Sequence, residues 1–184
     1  MKYIIFILIF FYPLNIFASP KQLIKNKLEE TDNISFKFIQ KIGKKTEQGE
    51  CIISYPKKIF CKYDDIYNKV LVSNGKSLVI NSKKITNYLR YQLKDTPLDL
   101  ILDKKFLLDK LDNIEIIREN DETFSFEIIH NNNLLNIFFD KDSYDIKGWT
   151  TTDVYLNTVE TKLRNIKTNK IIDKKLFRVQ NYIN

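Results

Sequence analysis

The chain has 184 residues, 43% of them hydrophobic and 13% aromatic, with four glycines and a formal net charge of +7. That is about one domain's worth of chain, long enough for a real core, and the composition excludes both a disordered polymer and a chain embedded throughout in a membrane. Lysines alternate with acids, and no Lys/Arg cluster interleaves with exposed aromatics. The positive charge therefore reads as solvated surface, and no nucleic-acid partner is expected.

Met1-Lys2 is a short basic start, residues 3–11 are apolar, and Pro13 and Asn15 break the run before Ala18. This has the form of a signal peptide over residues 1–18, too short for a confident membrane span. No Cys follows the apolar run, so the chain is not expected to be acylated itself. Residues 19–184 show no repeat, linker or low-complexity block and read as a single domain.

Ser19-Pro20-Lys21-Gln22 has capping-box spacing with Pro at N1 and opens a helix to about Glu30. The period then changes to two, with Ile34, Phe36, Phe38 and Gln40 alternating with Ser35, Lys37, Ile39 and Lys41. Residues 52–55 and 59–63 flank a Tyr55-Pro56-Lys57-Lys58 turn. A symmetric hairpin places Cys51 opposite Cys61, 52 opposite 60 and 53 opposite 59. Directly opposed Cβ atoms approach disulfide distance, and an exported chain meets oxidising conditions. A one-residue slip would instead leave two buried thiols facing opposite ways, so both readings stand.

Residues 69–72 and 77–80 flank Asn74-Gly75, a strong signal for a type I′ hairpin. Residues 85–91 read as a strand or a loop. Thr96 then serves as an N-cap with Pro97 at N1 and Asp99 at N3, opening a helix that continues to Leu111. Leu98, Ile101 and Leu102 fall on one stripe that must lie on something, and Leu107 and Leu108 extend it. Strands resume at 114–118, 124–129, 134–139, 144–151 and 154–166, and a tail segment carries Leu176 and Phe177. The apolar runs at 128–129 and 137–139 suit strands buried on both sides or lining a cavity. The fold class is mainly β with helices (α+β): an antiparallel meander whose mid-chain helix lids a curved sheet.

Catalytic constellations do not emerge. His130 stands alone beside an Asn run at an expected turn, and no nucleophile-elbow, zinc-protease or phosphate-loop motif occurs. Asp64-Asp65, Glu29-Glu30 and Asp121-Glu122 read as solvated charge at strand ends. Two Cys and one distant His make no ligand set, so neither metal nor cofactor is expected. The sequence points away from an enzyme, and a small secreted enzyme with a carboxylate site stands as the alternative of another class. Phe36, Phe38, Phe60, Phe124, Phe126, Phe139 and Trp149 fall on expected strands, where pattern alone does not separate core-facing from cavity-facing side chains.

The order of landmarks resembles the LolA family of periplasmic lipoprotein carriers. They are Phe38-x-Gln40, Gly49 with an apolar strand to Pro56, Asn74-Gly75, Thr96-Pro97-Leu98, Trp149-x-x-x-Asp153 and Asp173-x-x-Leu176-Phe177. The resemblance implies an open, incomplete antiparallel β-barrel with a helical lid over a hydrophobic cavity. It also implies a monomeric periplasmic protein that takes acylated lipoproteins from an inner-membrane ABC transporter to an outer-membrane acceptor. A lipid- or lipoprotein-sensing periplasmic regulator on the same half-barrel is the alternative. The expected cavity residues are Phe36, Phe38, Ile53, Phe60, Phe124, Phe126, Ile137 and Trp149; the expected lid is Thr96, Pro97, Leu98, Ile101 and Leu102. Where the family often carries an Arg that hydrogen-bonds the lid, this chain has Tyr55, which offers one hydrogen bond and no charge. Leu156-Asn157 stands where the family turn has Gly, and the chain stops soon after Phe177.

Overall fold

A computed structural model describes residues 18–114, 118–130, 133–153 and 157–183. Residues 1–17 of the signal peptide expected over 1–18, most of the strand expected at 114–118, the Asn131-Asn132 pair and the first residues of the strand expected at 154–166 lie outside them.

Ser19 opens α1 (Pro20–Glu30): its hydroxyl accepts the Gln22 N–H at 3.3 Å, and Ile24 and Leu28 are buried. A first meander follows, of β1 (Asn33–Ile42), β2 (Lys45–Ser54), β3 (Lys58–Tyr63), β4 (Val70–Asn74), β5 (Ser77–Asn81) and β6 (Leu89–Gln92). A second contains β7 (Arg118–Glu119), β8 (Thr123–His130), β9 (Asn133–Asp140), β10 (Ile146–Thr152) and β11 (Thr158–Thr168). Among the described residues these form one sheet of 11 strands, ordered β6-β5-β4-β3-β2-β1-β11-β10-β9-β8-β7. Among the described residues the two meanders join only where β1 pairs antiparallel with β11, and β6 and β7 end the sheet without pairing with each other. The result is the open, incomplete barrel that the sequence implied.

Alternation decides what faces inward. β1 buries Ile34, Phe36 and Phe38; β8 buries Phe124, Phe126 and Ile128; β9 buries Leu135, Ile137 and Phe139. The runs at 128–129 and 137–139 are not buried on both sides. Ile129, 70% exposed, pairs across the ladder with Leu134 on the outer face. The outer face of β3–β5 is covered by the chain's last turns, Lys174–Phe177 and Val179–Tyr182. Val179 packs there with Val72 and Val79, and the Asn81 amide donates to the Tyr182 carbonyl at 2.7 Å.

Two local expectations change. The Asn74-Gly75 turn is not type I′: only Gly75 has positive φ (+96°), and regular pairing of β4 with β5 ends at Ser73 and Leu78. The Asn74 carboxamide accepts the N–H groups of Lys76 and Ser77 at 3.0 and 2.9 Å, closing a wider turn. The helix expected over 96–111 is two helices, α2 (Leu98–Leu102) and α3 (Lys104–Asn113). Asp103 divides them because its carboxylate accepts the Phe106 N–H at 3.0 Å and caps the second. Thr96 does not cap α2; its hydroxyl turns back to the Leu93 carbonyl at 2.8 Å. α3 is tied to α1 by Lys21, whose ammonium donates to the Asp112 carbonyl at 2.9 Å, and by a Lys25–Asp112 ion pair.

Candidate functional site

Between α2 and the inner face of the sheet lies a cavity of about 300 Å³. Phe36, Phe38, Cys51, Ile59 and Cys61 from β1–β3 line it on one side. Leu71 and Leu78 from β4 and β5 and Trp149 from β10 continue the wall. Thr96, Pro97, Leu98 and Ile101 form the roof. The Phe36 ring meets the Trp149 indole edge-on with centroids 6.2 Å apart, and Phe38 meets Tyr63 edge-on at 5.1 Å. This apolar interior gives way to polar groups near the β1–β2 turn, where Gln40 donates to the Thr161 hydroxyl at 2.9 Å.

The cysteine register is the symmetric one, with Cys51 opposite Cys61, Ile52 opposite Phe60 and Ile53 opposite Ile59. Cys51 and Cys61 are joined by a disulfide. The bridge fixes β2 to β3 inside the cavity wall, and both cysteines are buried. Gly49, next inward on β2, has no room for a side chain: a Cβ there would sit 2.2 Å from the Lys62 carbonyl oxygen and 3.0 Å from the Phe38 ring. The absence of that atom leaves space for the Phe38 ring edge.

The residues expected to line the cavity divide into three groups. Phe36, Phe38 and Trp149 line it, as do Thr96, Pro97, Leu98 and Ile101 of the lid. Ile53, Phe124, Phe126 and Ile137, with Leu102 of the lid, are buried in the closed core shared with Leu107 and Leu111 and are not on the cavity surface. Phe126 stacks on Phe139 at 5.5 Å, filling the β8–β9 side. Phe60 is on the other side of the sheet, 5.8 Å from the Tyr182 ring. The hairpin register requires this, because a residue opposite Ile52 must face away from Cys51 and Cys61.

Tyr55 does not hold the lid. Its hydroxyl is buried with no hydrogen-bond partner among the described residues, and burial pushes its pKa well above the usual phenol value. The latch is Lys57, two residues on. Lys57 has φ +64°, and its backbone N–H donates to the Leu102 carbonyl at 2.8 Å. Its ammonium pairs with Asp99 at 3.0 Å and Asp103 at 3.1 Å. Burial of this ammonium works to lower its pKa, but the two carboxylates outweigh it and the net shift is upward. Sequence reasoning missed Lys57 because only the fold brings the β2–β3 turn against α2; the Asp99–Asp103 spacing of one helical turn was the available signal.

At the polar end, Glu47 on β2 is almost fully covered and pairs with both Lys45 and Lys69; the Lys69 contact is 2.7 Å. Burial works to raise the Glu47 carboxyl pKa, the two ammonium groups lower it, and the net shift is downward. The Lys69 ammonium also lies 3.8 Å over the Tyr63 ring. Asp153 closes the β10–β11 turn, accepting from the Asn157 backbone and side-chain amides at 2.9 and 3.0 Å. No group of His, Cys, Asp and Glu side chains suited to a metal occurs among the described residues.

The family model described as outer membrane lipoprotein carrier protein LolA matches residues 29–180. No curated protein sequence is a significant match. Among solved structures, a Vibrio parahaemolyticus domain described as a candidate in outer membrane lipoprotein sorting superposes with a TM-score of 0.51 at 9% identity, covering 89% of this chain and 96% of that one. A conserved protein of Thermus thermophilus gives 0.51 at 7% identity, covering 87% and 94%. MucB gives 0.50 at 12% identity, covering 87% of this chain and 62% of MucB. At these identities the likeness is one of fold.

Proposed function

The chain belongs to the LolA family, and from that membership we propose that it is a periplasmic carrier that shields the acyl chains of lipoproteins in transit to the outer membrane. The observation that carries the reading is the apolar cavity of about 300 Å³ roofed by α2, a helix of five residues latched mainly from one turn. At about 0.8 kcal/mol per buried CH₂, two or three acyl chains of roughly 30–45 methylenes represent on the order of 25–35 kcal/mol of exposure to water, so unaided transfer between membranes is negligibly slow. The closed cavity is too small for that cargo. Loading therefore requires α2 to leave the sheet, breaking the Lys57 contacts and exposing Leu98 and Ile101 to the entering chains. Release needs a grip weaker than the acceptor's, and a cavity already rimmed with polar groups supplies that. An inner-membrane ABC transporter and an outer-membrane acceptor are the partners this role requires, and the protein acts as a monomer without catalysis.

The test is lipoprotein release from inner-membrane vesicles with Leu98→Asp and Ile101→Asp. Release is abolished if the lid face receives acyl chains, and release at the wild-type rate overturns the reading. Native mass spectrometry of the periplasmic protein identifies the cargo: bound lipoprotein or acyl chains support carriage. Co-purification with a membrane sensor in place of lipoproteins would instead assign the chain to lipid-dependent regulation.

A further inference from the structure

The apolar cavity is not isolated. A second recess, of about 380 Å³, adjoins it, and the two share Glu47, Tyr63 and Lys69 as their common wall. The second recess is polar and charged: Lys45 and Lys84 line it together with Asp64 and Asp65. On the shared wall one carboxylate, Glu47, is bracketed by the two ammonium groups of Lys45 and Lys69. That wall therefore carries one positive charge in excess and has donor capacity left for a second anion. Two acids, Asp64 and Asp65, line the same recess. Asp65 accepts the backbone N–H groups of Tyr67 and Lys69 at 3.1 and 3.0 Å, and Asp64 stands exposed beside it. Lys84 lies 5.6 Å over the Tyr67 ring and makes no ion pair among the described residues.

Three cations and three acids balance over the recess, so a plain anion gains little from the net field, whereas a group with separated charges finds both poles matched. The apolar side has room for about ten water volumes at ~30 Å³ each, well short of two long alkyl chains. We propose that the closed protein binds a single-chain zwitterionic phospholipid, its alkyl chain under α2, its phosphate against the Lys45, Lys69 and Lys84 ammonium groups, and its ammonium toward Asp64 and Asp65. This rests on the cavity accepting alkyl chains, and it adds a head-group site to that reading.

The test uses the purified, delipidated mature chain and three ligands with one lauroyl chain each: lysophosphatidylethanolamine, lysophosphatidylglycerol and monolauroylglycerol, titrated below their micelle concentrations. The zwitterion is expected to bind at least tenfold more tightly than monolauroylglycerol and more tightly than the anionic lipid. Lys45→Gln and Lys84→Gln, which line the second recess and not the apolar cavity, should each reduce that preference threefold or more while leaving monolauroylglycerol binding unchanged. Lys84 holds no structural ion pair among the described residues, so its variant remains decisive if Lys45→Gln, which breaks the Lys45–Glu47 pair, fails to fold. Equal binding of all three, or equal loss for all three in Lys84→Gln, overturns the head-group site and leaves the alkyl cavity standing. Tighter binding of the anionic lipid than of the zwitterion also overturns it. Failure of every lauroyl ligand to bind overturns the carrier reading as well.

Discussion

The Lys57 ammonium lies 3.0 Å from Asp99 on the lid helix, and the same group reaches Asp103, the residue that divides the lid from α3. One cation on the β2–β3 turn thus holds both ends of α2. Charge-assisted hydrogen bonds contribute about 1.5–3 kcal/mol each when covered, and with Lys57 31% exposed a smaller total of about 1–2 kcal/mol is appropriate. Lys57→Met should therefore speed hydrogen exchange at Leu100, Ile101 and Leu102 about five- to thirtyfold, with β1 and β11 unaffected. Unchanged exchange in α2 would show that the backbone contact to Leu102 alone sets the latch.

Tyr55→Phe should leave stability unchanged or raise it, by up to about 1 kcal/mol. The hydroxyl is buried and has no partner among the described residues, so its removal relieves a desolvation cost and breaks no bond. Urea unfolding of the variant measures this. A loss above about 1 kcal/mol would mean that the hydroxyl is satisfied, most simply by an ordered water in the small recess beside Thr31 and Asp145.

Cys51→Ser with Cys61→Ser removes a cross-link closing a loop of sequence separation 10. Chain-entropy arguments put the cost at about 2–3 kcal/mol. Because the bridge is also part of the cavity wall, the reduced protein should bind alkyl ligands more weakly as well as melt lower. Thermal melts and lauroyl-ligand titrations with and without reductant check both. The Gly49→Ala variant should lose at least as much stability, since a Cβ at that position meets the Lys62 backbone and not a flexible side chain.

Acid should destabilise the fold through Glu47 and Asp140, whose carboxyls are both held below their ordinary range. Asp140 owes this first to the Ser143 N–H, with burial opposing and Lys147 and the Asp142 N–H adding to it. For Glu47 burial is the largest influence and opposes the shift, and the hydrogen bonds from Lys45 and Lys69 prevail. A carboxyl with a depressed folded pKa stabilises the native state above its unfolded value, and that contribution drains away as pH falls through the folded value. Urea midpoints should be level from pH 7 to about pH 5 and fall below about pH 4. Asp140→Asn should be the less stable protein at pH 7 and converge with the wild type near pH 2.

Much of this architecture is legible in the residues because backbone rules are local. Ser19 with Pro20 announces α1, the period-two run from Ile34 fixes which face of β1 is buried, and the spacing of Cys51 and Cys61 about one turn sets a register. That same register already contained the placement of Phe60: a ladder that puts Cys51, Ile53, Ile59 and Cys61 inward puts Phe60 outward. What covers that outward face was not legible, since Val179 and Tyr182 arrive from about 120 residues away along the chain. The division between cavity and closed core was also beyond pattern. Phe36 and Phe126 have the same period and the same burial, and only the position of α2 and α3 over the sheet decides which one meets empty space. Asp103 was readable as a cap and was masked by the strength of the Leu stripe around it.

The single seam between the meanders fixes when the molecule can become itself. β1 forms its ladder with β2 early in the chain but receives its other neighbour, β11, only after more than a hundred further residues have been made. Until then its bonding edge is open, beside the greasy face that will become the cavity, and pairings of such long sequence separation form slowly. The protein is most vulnerable to clumping before its final described strand docks and residues 158–168 close the seam.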